Sequence, residues 1–132
     1  MAIVVDASVV AAWFLPDEDG AVAEEALARL ETQDAFAPDL LSHELRNILL
    51  SAERRKRISA DDIFAILMRF ASLPITLSSS ADHVSIIRLA QKHALSAYDA
   101  AYLSLAISRN APLATQNRKL AAAAKLENVE FV

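Results

Sequence analysis

Three acidic residues of this sequence stand in apolar surroundings where an unpaired carboxylate is costly. Asp6 lies between valines and alanines, Glu44 lies among leucines, and Asp99 lies in a segment rich in alanine and leucine. A buried carboxylate needs a partner, and three close together repel one another unless a cation neutralises them. Hard oxygen ligands of this kind are those that Mg²⁺ or Mn²⁺ prefers. Together these residues predict a divalent-cation site.

Each of these acids also has a purely structural explanation. Asp6 follows an apolar run and could cap the next turn, while Asp99 stands three residues after Ser96 and could complete a capping box. Glu44 could be an acid near the start of a helix, where the helix dipole favours negative charge. These explanations stay open for each residue taken alone, but they do not account for the shared apolar surroundings.

Basic residues supply candidate contacts for a phosphate group. Arg46 is the first choice because it lies close to Glu44 in the sequence. Arg118 and Lys119 follow the late apolar segment at residues 112–115, and the basic run at 54–57 suits the negative end of a helix. We expect Arg46 or a basic neighbour to offset negative charge on a bound phosphate.

Several other site chemistries are excluded by composition. The chain has no cysteine, one glycine and three histidines without zinc-ligand spacing. A thiol nucleophile, a zinc–thiolate site, a P-loop and a dinucleotide-binding glycine motif are therefore absent. Phosphotransfer on Asp6 is disfavoured as well, because Ser8 stands where a dehalogenase-type enzyme needs a second acid and Asp6 has no acidic neighbour.

The elements that must position these residues are short apolar strands alternating with helices. The sequence predicts strands at residues 2–5, 74–77, 112–115 and 129–132. It predicts helices at 18–30, from 38 to about 54, 59–70, 82–93, 96–109 and 117–125. This alternation is typical of an α/β fold with a parallel sheet. Asp6 and Thr115 would then lie at the carboxyl edge of the sheet, where such folds bind ligands.

The length, net charge and hydropathy of the chain indicate its domain number and the environment in which it works. With 132 residues we expect one domain over residues 1–132. The formal net charge of −4 is unusual for a nucleic-acid binder, unless part of the acid holds metal and so attracts phosphate. No stretch approaches the roughly 20 uncharged apolar residues of a membrane span. A cytoplasmic protein is expected.

Four segments in this order resemble the PIN-domain ribonucleases, specifically the VapC-type toxins of toxin–antitoxin pairs. The segments are VVDAS (residues 4–8), HELRN (43–47), AYDAAY (97–102) and LATQNRKL (113–120). The resemblance implies a three-layer α/β/α sandwich with a mainly parallel sheet, and a Mg²⁺- or Mn²⁺-dependent endoribonuclease. It also implies an RNA substrate, a homodimer and a cognate antitoxin that blocks the site.

The resemblance also assigns individual residues. Asp6, Glu44 and Asp99 match the family's acidic metal ligands, and the hydroxyls of Ser8 and Thr115 match supporting positions. Asn117 departs from the pattern, because the family usually has a fourth acid there. We expect the carboxamide oxygen of Asn117 to accept a hydrogen bond from a water in the site without adding charge. The alternative function is therefore a module that binds RNA or antitoxin but cuts weakly or not at all.

Overall fold

Four short parallel strands form a single sheet in the computed structural model, which describes residues 1–16, 18, 20–79 and 82–132. They are β1 (Ala2–Val5), β2 (Asp34–Pro38), β3 (Ile75–Ser78) and β4 (Leu113–Ala114). The strands lie in the order β3-β2-β1-β4, and every neighbouring pair is parallel. Val4 pairs with Phe36 on one side and with Leu113 on the other. Consequently, β1 and β4 end side by side at the same edge.

Helices connect the strands and cover the sheet. The described residues form α1 (Ala7–Phe14), α2 (Ala21–Arg29), α3 (Leu40–Arg54), α4 (Ala60–Ala71), α5 (His83–His93), α6 (Ala97–Arg109) and α7 (Arg118–Leu126). Successive residues of a strand face opposite sides of a sheet. Ile3, Val4 and Val5 are all fully buried, so both faces of β1 are covered. The predicted three-layer α/β/α architecture is confirmed.

Polar residues begin most of these helices where the sequence predicts them. Ser59 and Asp62 form a reciprocal capping box at the start of α4, and Asp82 accepts a hydrogen bond from the backbone N–H of Ser85 at the start of α5. Ser96 caps α6 and Asn117 caps α7 through their side chains. These caps satisfy backbone N–H groups that have no partner within the helix. They also fix where α6 and α7 begin, next to the carboxyl edge of the sheet.

Two elements are missing from the sequence-based prediction. Nearly every residue of α1 is apolar, so no helical period is visible there. The β2 segment, Asp-Ala-Phe-Ala-Pro, has low intrinsic strand preference. Ala35 and Ala37 are nevertheless buried in the sheet, where small side chains let the covering helices approach. Tertiary packing therefore determines both elements.

Several predicted elements differ in extent, and two of them differ most. The helix expected at residues 18–30 begins only at Ala21, after its N-cap Gly20, and residue 19 lies outside the described residues. The strand expected at 129–132 is wrong: this segment makes one isolated bridge, between Phe131 and Leu113. Because β4 has only two residues, it offers little backbone for a further strand to pair with.

Within the described part of the chain, no helix combines the length and the apolar character needed to cross a membrane.

Candidate acidic site at the carboxyl edge of the sheet

Asp6 and Thr115 meet at the edge where β1 and β4 end. Asp6 follows β1 directly and Thr115 follows β4 directly. The backbone N–H of Asp6 donates to the carbonyl oxygen of Ala114 over 3.2 Å, which continues the pairing of the two strands by one step. Both side chains are buried, Asp6 with 4% of its surface exposed. The parallel sheet thus brings together residues 109 positions apart in the chain.

Hydrogen-bond donors surround both carboxylate oxygens of Asp6. Oδ1 accepts from the Ser8 hydroxyl at 2.6 Å and from the Val9 backbone N–H at 3.1 Å. Oδ2 accepts from the Thr115 hydroxyl. Asp6 therefore caps α1, as the structural explanation holds, but capping uses only one of its oxygens. The other oxygen accepts from Thr115. The hydroxyls of Ser8 and Thr115 thus link the residue after β1 to the segment after β4.

Ser8 and Thr115 connect this carboxylate to the loop that precedes α7. The Ser8 hydroxyl oxygen accepts from the Gln116 backbone N–H at 2.9 Å, and the Thr115 hydroxyl oxygen accepts from the Asn117 backbone N–H at 3.0 Å. Each hydroxyl donates to Asp6 and accepts from the loop. The start of α1 and the start of α7 are thereby held in one position around Asp6.

The carboxamide of Asn117 has a different role at each end. Its Oδ1 accepts from the backbone N–H groups of Lys119 and Leu120, at 3.0 and 3.2 Å, and so caps α7. Its Nδ2 donates to Oδ2 of Asp99 over 3.3 Å. The hydrogen bond expected from a water in the site to this carboxamide oxygen stays a prediction, since the oxygen already accepts from two backbone N–H groups. The oxygen caps α7, and the nitrogen donates to the carboxylate of Asp99.

Asp99 lies in the first turn of α6. Its backbone N–H donates to the Ser96 hydroxyl oxygen at 3.1 Å. The reciprocal bond from Ser96 N–H to the Asp99 carboxylate, which would complete a capping box, is absent among the described residues, whereas the box at Ser59 and Asp62 has both bonds. The structural explanation for the carboxylate of Asp99 therefore fails, and its observed partner is Asn117.

Glu44 reaches the site from α3. It is the fifth residue of that helix, and the first turn of α3 holds no acid, so the helix-dipole explanation does not apply. Its Oε1 accepts a hydrogen bond of 2.6 Å from the hydroxyl of Tyr102, a buried residue of α6. No role for Tyr102 is predicted from the sequence. The available signal was its spacing, since it follows Asp99 by three residues and so lies on the same side of α6.

The three carboxylates interact electrostatically. Burial raises the pKa of Asp6 above its usual value of 3.8, against the lowering effect of its hydrogen bonds, and the charge of Asp99 raises it further. Burial also raises the pKa of Glu44 above 4.5, where the Tyr102 hydrogen bond lowers it and the charges of Asp99 and Asp6 raise it. The pKa of the Tyr102 phenol is raised strongly by burial and by Glu44. Asp6, Glu44 and Asp99 therefore lie close enough for their negative charges to repel one another.

Arg46 lies apart from this group. It is exposed, and its Nη1 lies 3.4 Å from Nδ1 of His43. Residues two positions apart on a helix do not share a face, so Arg46 and Glu44 lie on different sides of α3. Arg118 and Lys119 are also exposed, and they begin α7 directly after Asn117. A phosphate-binding role for Arg46 stays a prediction.

The donor set fits a hydrated divalent cation better than a tightly enclosed one. All available donors are carboxylate, hydroxyl and amide groups, which is the chemistry of Mg²⁺ and Mn²⁺ sites. Within residues 1–16, 18, 20–79 and 82–132, no three His, Asp or Glu side chains are placed to hold one ion directly. Mg²⁺ commonly uses one or two carboxylates and keeps several waters. Ligation partly through water therefore fits these residues.

Comparison with known proteins finds a family model and a relative that match most of the chain. The family model described as PIN domain matches residues 3–126. Ribonuclease VapC3 of Pyrobaculum aerophilum is 33% identical over 124 residues, which cover 92% of this chain and 93% of that protein.

Two solved structures have a similar fold. The crystal structure of PAE2754 from Pyrobaculum aerophilum has a TM-score of 0.67 and 21% identity, covering 93% of this chain and 84% of that one. Mycobacterium tuberculosis VapC20, described as a sarcin–ricin loop cleaving toxin, has a TM-score of 0.63 and 14% identity, covering 92% of this chain and 94% of that one. At these identities the similarity shows the fold alone.

Proposed function

The chain belongs to the PIN-domain family and is related to its VapC-type ribonucleases, and we propose that it is a Mg²⁺- or Mn²⁺-dependent endoribonuclease that acts as the toxin of a toxin–antitoxin pair. In this proposal Asp6, Glu44 and Asp99 hold the cation, directly or through water. The reaction is hydrolysis of an RNA phosphodiester bond. The negative surface of the site becomes a phosphate-binding surface when the cation is present.

The observation that carries the proposal is the electrostatic coupling of three acids from separate elements at one edge of the sheet. Burial raises the pKa of both Asp6 and Glu44, and the charge of Asp99 raises each further. A protein that needs only a stable fold gains nothing from such an arrangement, since a buried charge without a counter-charge is unfavourable. A cation bound among these side chains would remove that penalty, and this supports the proposed divalent-cation site.

The chain's own residues supply positioning and charge. When bound, a divalent cation lowers the pKa of water and neutralises charge on a phosphodiester. Asp6 is held by three hydrogen bonds, so its oxygens keep one orientation without induced fit. Asn117 donates to Asp99 and so orients that carboxylate. Arg118 and Lys119, exposed at the start of α7, are available to contact the RNA backbone on the same edge.

The proposed partners follow from the family and not from a contact in this chain. They are an RNA substrate, a cognate antitoxin protein that blocks the acidic edge, and a second copy of the chain in a homodimer. VapC20 is described as cutting the sarcin–ricin loop. Our proposal extends to RNA as a class, because recognition of a looped RNA depends on shape and stacking across a whole surface.

The test is cleavage of a quenched, fluorescent RNA oligonucleotide pool, with a DNA pool of the same sequences beside it. We expect cleavage of RNA that requires Mg²⁺ or Mn²⁺ and stops with chelator. Asp99→Asn should lose it, whereas Asp61→Asn, which removes an exposed acid of α4, should keep it. Metal-independent cleavage, or equal activity in both variants, would refute the assignment.

A second candidate function rests on Asn117. Its carboxamide replaces the usual fourth acid, and its oxygen is engaged by two backbone N–H groups of α7. The site therefore holds one negative charge fewer than the family pattern and binds a second cation less well. In this alternative the chain binds RNA or antitoxin and cuts weakly or not at all. Restoring the acid with Asn117→Asp distinguishes the two functions by its effect on RNA cleavage.

A further inference from the structure

The hydrogen bond between Tyr102 and Glu44 joins two helices that otherwise reach the site independently. Tyr102 is buried, with 1% of its surface exposed, and its hydroxyl donates to Oε1 of Glu44 at 2.6 Å. The two residues are 58 positions apart, Glu44 on α3 and Tyr102 on α6. Among the described residues, no other side-chain hydrogen bond connects these helices.

Helix α6 contributes two groups to the acidic site from one face. Asp99 and Tyr102 are three residues apart, a spacing at which helical side chains are neighbours. The buried phenol and the Asp99 carboxylate therefore lie on the same side of α6. A hydrogen bond from this phenol places Glu44 relative to Asp99, although the two acids come from different segments of the chain.

Glutamate needs such a constraint more than aspartate does. Its side chain has one more rotatable bond, and fixing a long side chain costs conformational entropy. Asp6 is fixed by three hydrogen bonds around a short side chain, whereas Glu44 is half-buried and is fixed through Oε1. No hydrogen bond to Oε2 is present within the described residues, so that oxygen is available to a ligand.

We propose that Tyr102 is a positioning residue for metal binding, which holds Glu44 through Oε1 and leaves Oε2 to the cation. The inference rests on the proposed metal-dependent function and adds a residue to it. Carboxylates that bind metals are themselves commonly hydrogen-bonded, and loss of such a partner costs roughly 10- to 100-fold in metal affinity or activity. A tyrosine that only filled the core would not affect ion binding through its hydroxyl.

The test compares Tyr102→Phe with Tyr98→Phe, a matched control from the same helix. Both changes remove one phenol hydroxyl, but Tyr98 is 65% exposed. Mn²⁺ binding is measured by calorimetry or electron paramagnetic resonance on the metal-free protein, without RNA. We expect Tyr102→Phe to weaken Mn²⁺ binding roughly 10-fold or more and Tyr98→Phe to bind like the wild type. RNA cleavage by Tyr102→Phe should recover at high Mn²⁺ concentration.

A spectroscopic measurement keeps the inference testable if Tyr102→Phe does not fold. The chain has two tyrosines, so Tyr102 is the only one left in Tyr98→Phe. Its ultraviolet resonance Raman bands report the hydrogen bond of the phenol. We expect these bands to shift on Mg²⁺ addition, over the same concentration range in which the ion binds. Bands that stay unchanged while the ion binds would overturn the inference.

The outcomes separate this inference from the proposed function. If the wild type binds Mn²⁺ and cuts RNA, and Tyr102→Phe does both equally well, the role of Tyr102 is wrong and the ribonuclease stands. If the wild type binds no Mn²⁺, the metal site itself is wrong and the role of Tyr102 fails with it. If Tyr98→Phe loses affinity as much as Tyr102→Phe does, the effect is not specific to the Glu44 contact, and the inference is also overturned.

Discussion

Asn117 and Asp99 form a carboxamide–carboxylate pair in which Nδ2 of Asn117 donates to Oδ2 of Asp99 over 3.3 Å. The orientation of the amide is determined by the helix, because Oδ1 accepts two backbone N–H groups of α7 and leaves the nitrogen for Asp99. A carboxylate at position 117 could cap α7 equally well, but its second oxygen would face Asp99 with a like charge. The side chain at 117 therefore decides how much negative charge the site must balance.

Asn117→Asp should make the protein more dependent on divalent cations. Without metal we expect a loss of about 1 kcal/mol in the free energy of unfolding, since a hydrogen bond is replaced by repulsion. With Mn²⁺ or Mg²⁺ we expect tighter ion binding and faster RNA cleavage. Urea unfolding with and without chelator, together with the cleavage rate, measures both effects.

Gln116→Glu is the control for this change, because it adds the same charge at an exposed neighbouring position. It should alter neither quantity appreciably. A large gain in cleavage by Asn117→Asp alone would favour the weakly cutting alternative for the wild type. Equal cleavage by wild type and Asn117→Asp would mean that the carboxamide is tolerated.

Glu44→Gln should stabilise the metal-free protein while weakening its function. The variant side chain keeps an oxygen for the Tyr102 hydroxyl but loses the repulsion from Asp6 and Asp99. Because the pKa of Glu44 is raised above 4.5 on folding, ionising it costs stability as the pH rises through that range. We expect a gain of up to about 1 kcal/mol at neutral pH, limited by solvent screening of this half-buried group, and a smaller gain in acid.

Differential scanning calorimetry in chelator and in Mg²⁺ measures this prediction. Glu53→Gln, on the same helix, serves as the control. Mg²⁺ should raise the Tm of the wild type and of Glu53→Gln but have much less effect on Glu44→Gln. If metal-free Glu44→Gln is less stable than the wild type at neutral pH, repulsion of Glu44 by Asp6 and Asp99 does not destabilise the fold, contrary to this prediction.

Thr115→Val should destabilise the fold through Asp6. The Thr115 hydroxyl donates to Asp6 and accepts from the Asn117 backbone N–H, so its loss leaves a buried carboxylate and a backbone donor short of partners. We expect a loss of about 1–3 kcal/mol in the free energy of unfolding. Thr115→Ser keeps the hydroxyl and should lie close to the wild type. Denaturant titrations of the three proteins measure the free energy of unfolding. If Thr115→Val is as stable as the wild type, this hydroxyl has no structural role.

Glu127 should make a pH-dependent contribution far from the acidic site. Its Oε2 lies 2.7 Å from both Lys92 Nζ and His93 Nε2, and these hydrogen bonds lower the pKa of Glu127 below 4.5. A lowered carboxyl pKa adds stability above the unfolded value, and that stability is lost as the pH falls through the folded value. Glu127→Gln should therefore cost less than about 1 kcal/mol at neutral pH, because Lys92 is exposed, and nothing in strong acid.

Unfolding curves of wild type and Glu127→Gln across this pH range check the sign. Glu130→Gln, which changes an exposed acid nearby, should show no such dependence. A difference between wild type and Glu127→Gln that persists unchanged in acid would show that the carboxylate charge is not responsible.

The fold was predictable where local signals agree with tertiary structure. Ser59, Asp82 and Ser96 begin helices where the sequence places them, and the β-branched run at the start of the chain is β1. The α1 segment hides its period because it is apolar almost throughout, and β2 has a sequence that would not favour a strand outside this sheet. In both, packing against neighbours outweighs intrinsic preference.

The site was predictable as residue types at one edge of the sheet but not as contacts. Asp6 and Thr115 follow from strand ends in a parallel sheet. The Tyr102–Glu44 bond does not, because the approach of α3 to α6 depends on packing between segments 58 residues apart. The two-sided role of Asn117 was also out of reach, since it depends on where α7 begins relative to Asp99.

The proposed metal-dependent ribonuclease is tested by cleavage of total RNA by the wild type and Asp6→Asn, each with Mg²⁺, with Mn²⁺ and with chelator. Asp6→Asn removes the most buried charge of the site and leaves an oxygen to accept from Ser8 or Thr115. Circular dichroism verifies that it is folded. We predict discrete fragments from the wild type that require the divalent ion and are absent with Asp6→Asn. Identical fragments from both proteins, or wild-type fragments that persist in chelator, would contradict a ribonuclease built on this acidic site.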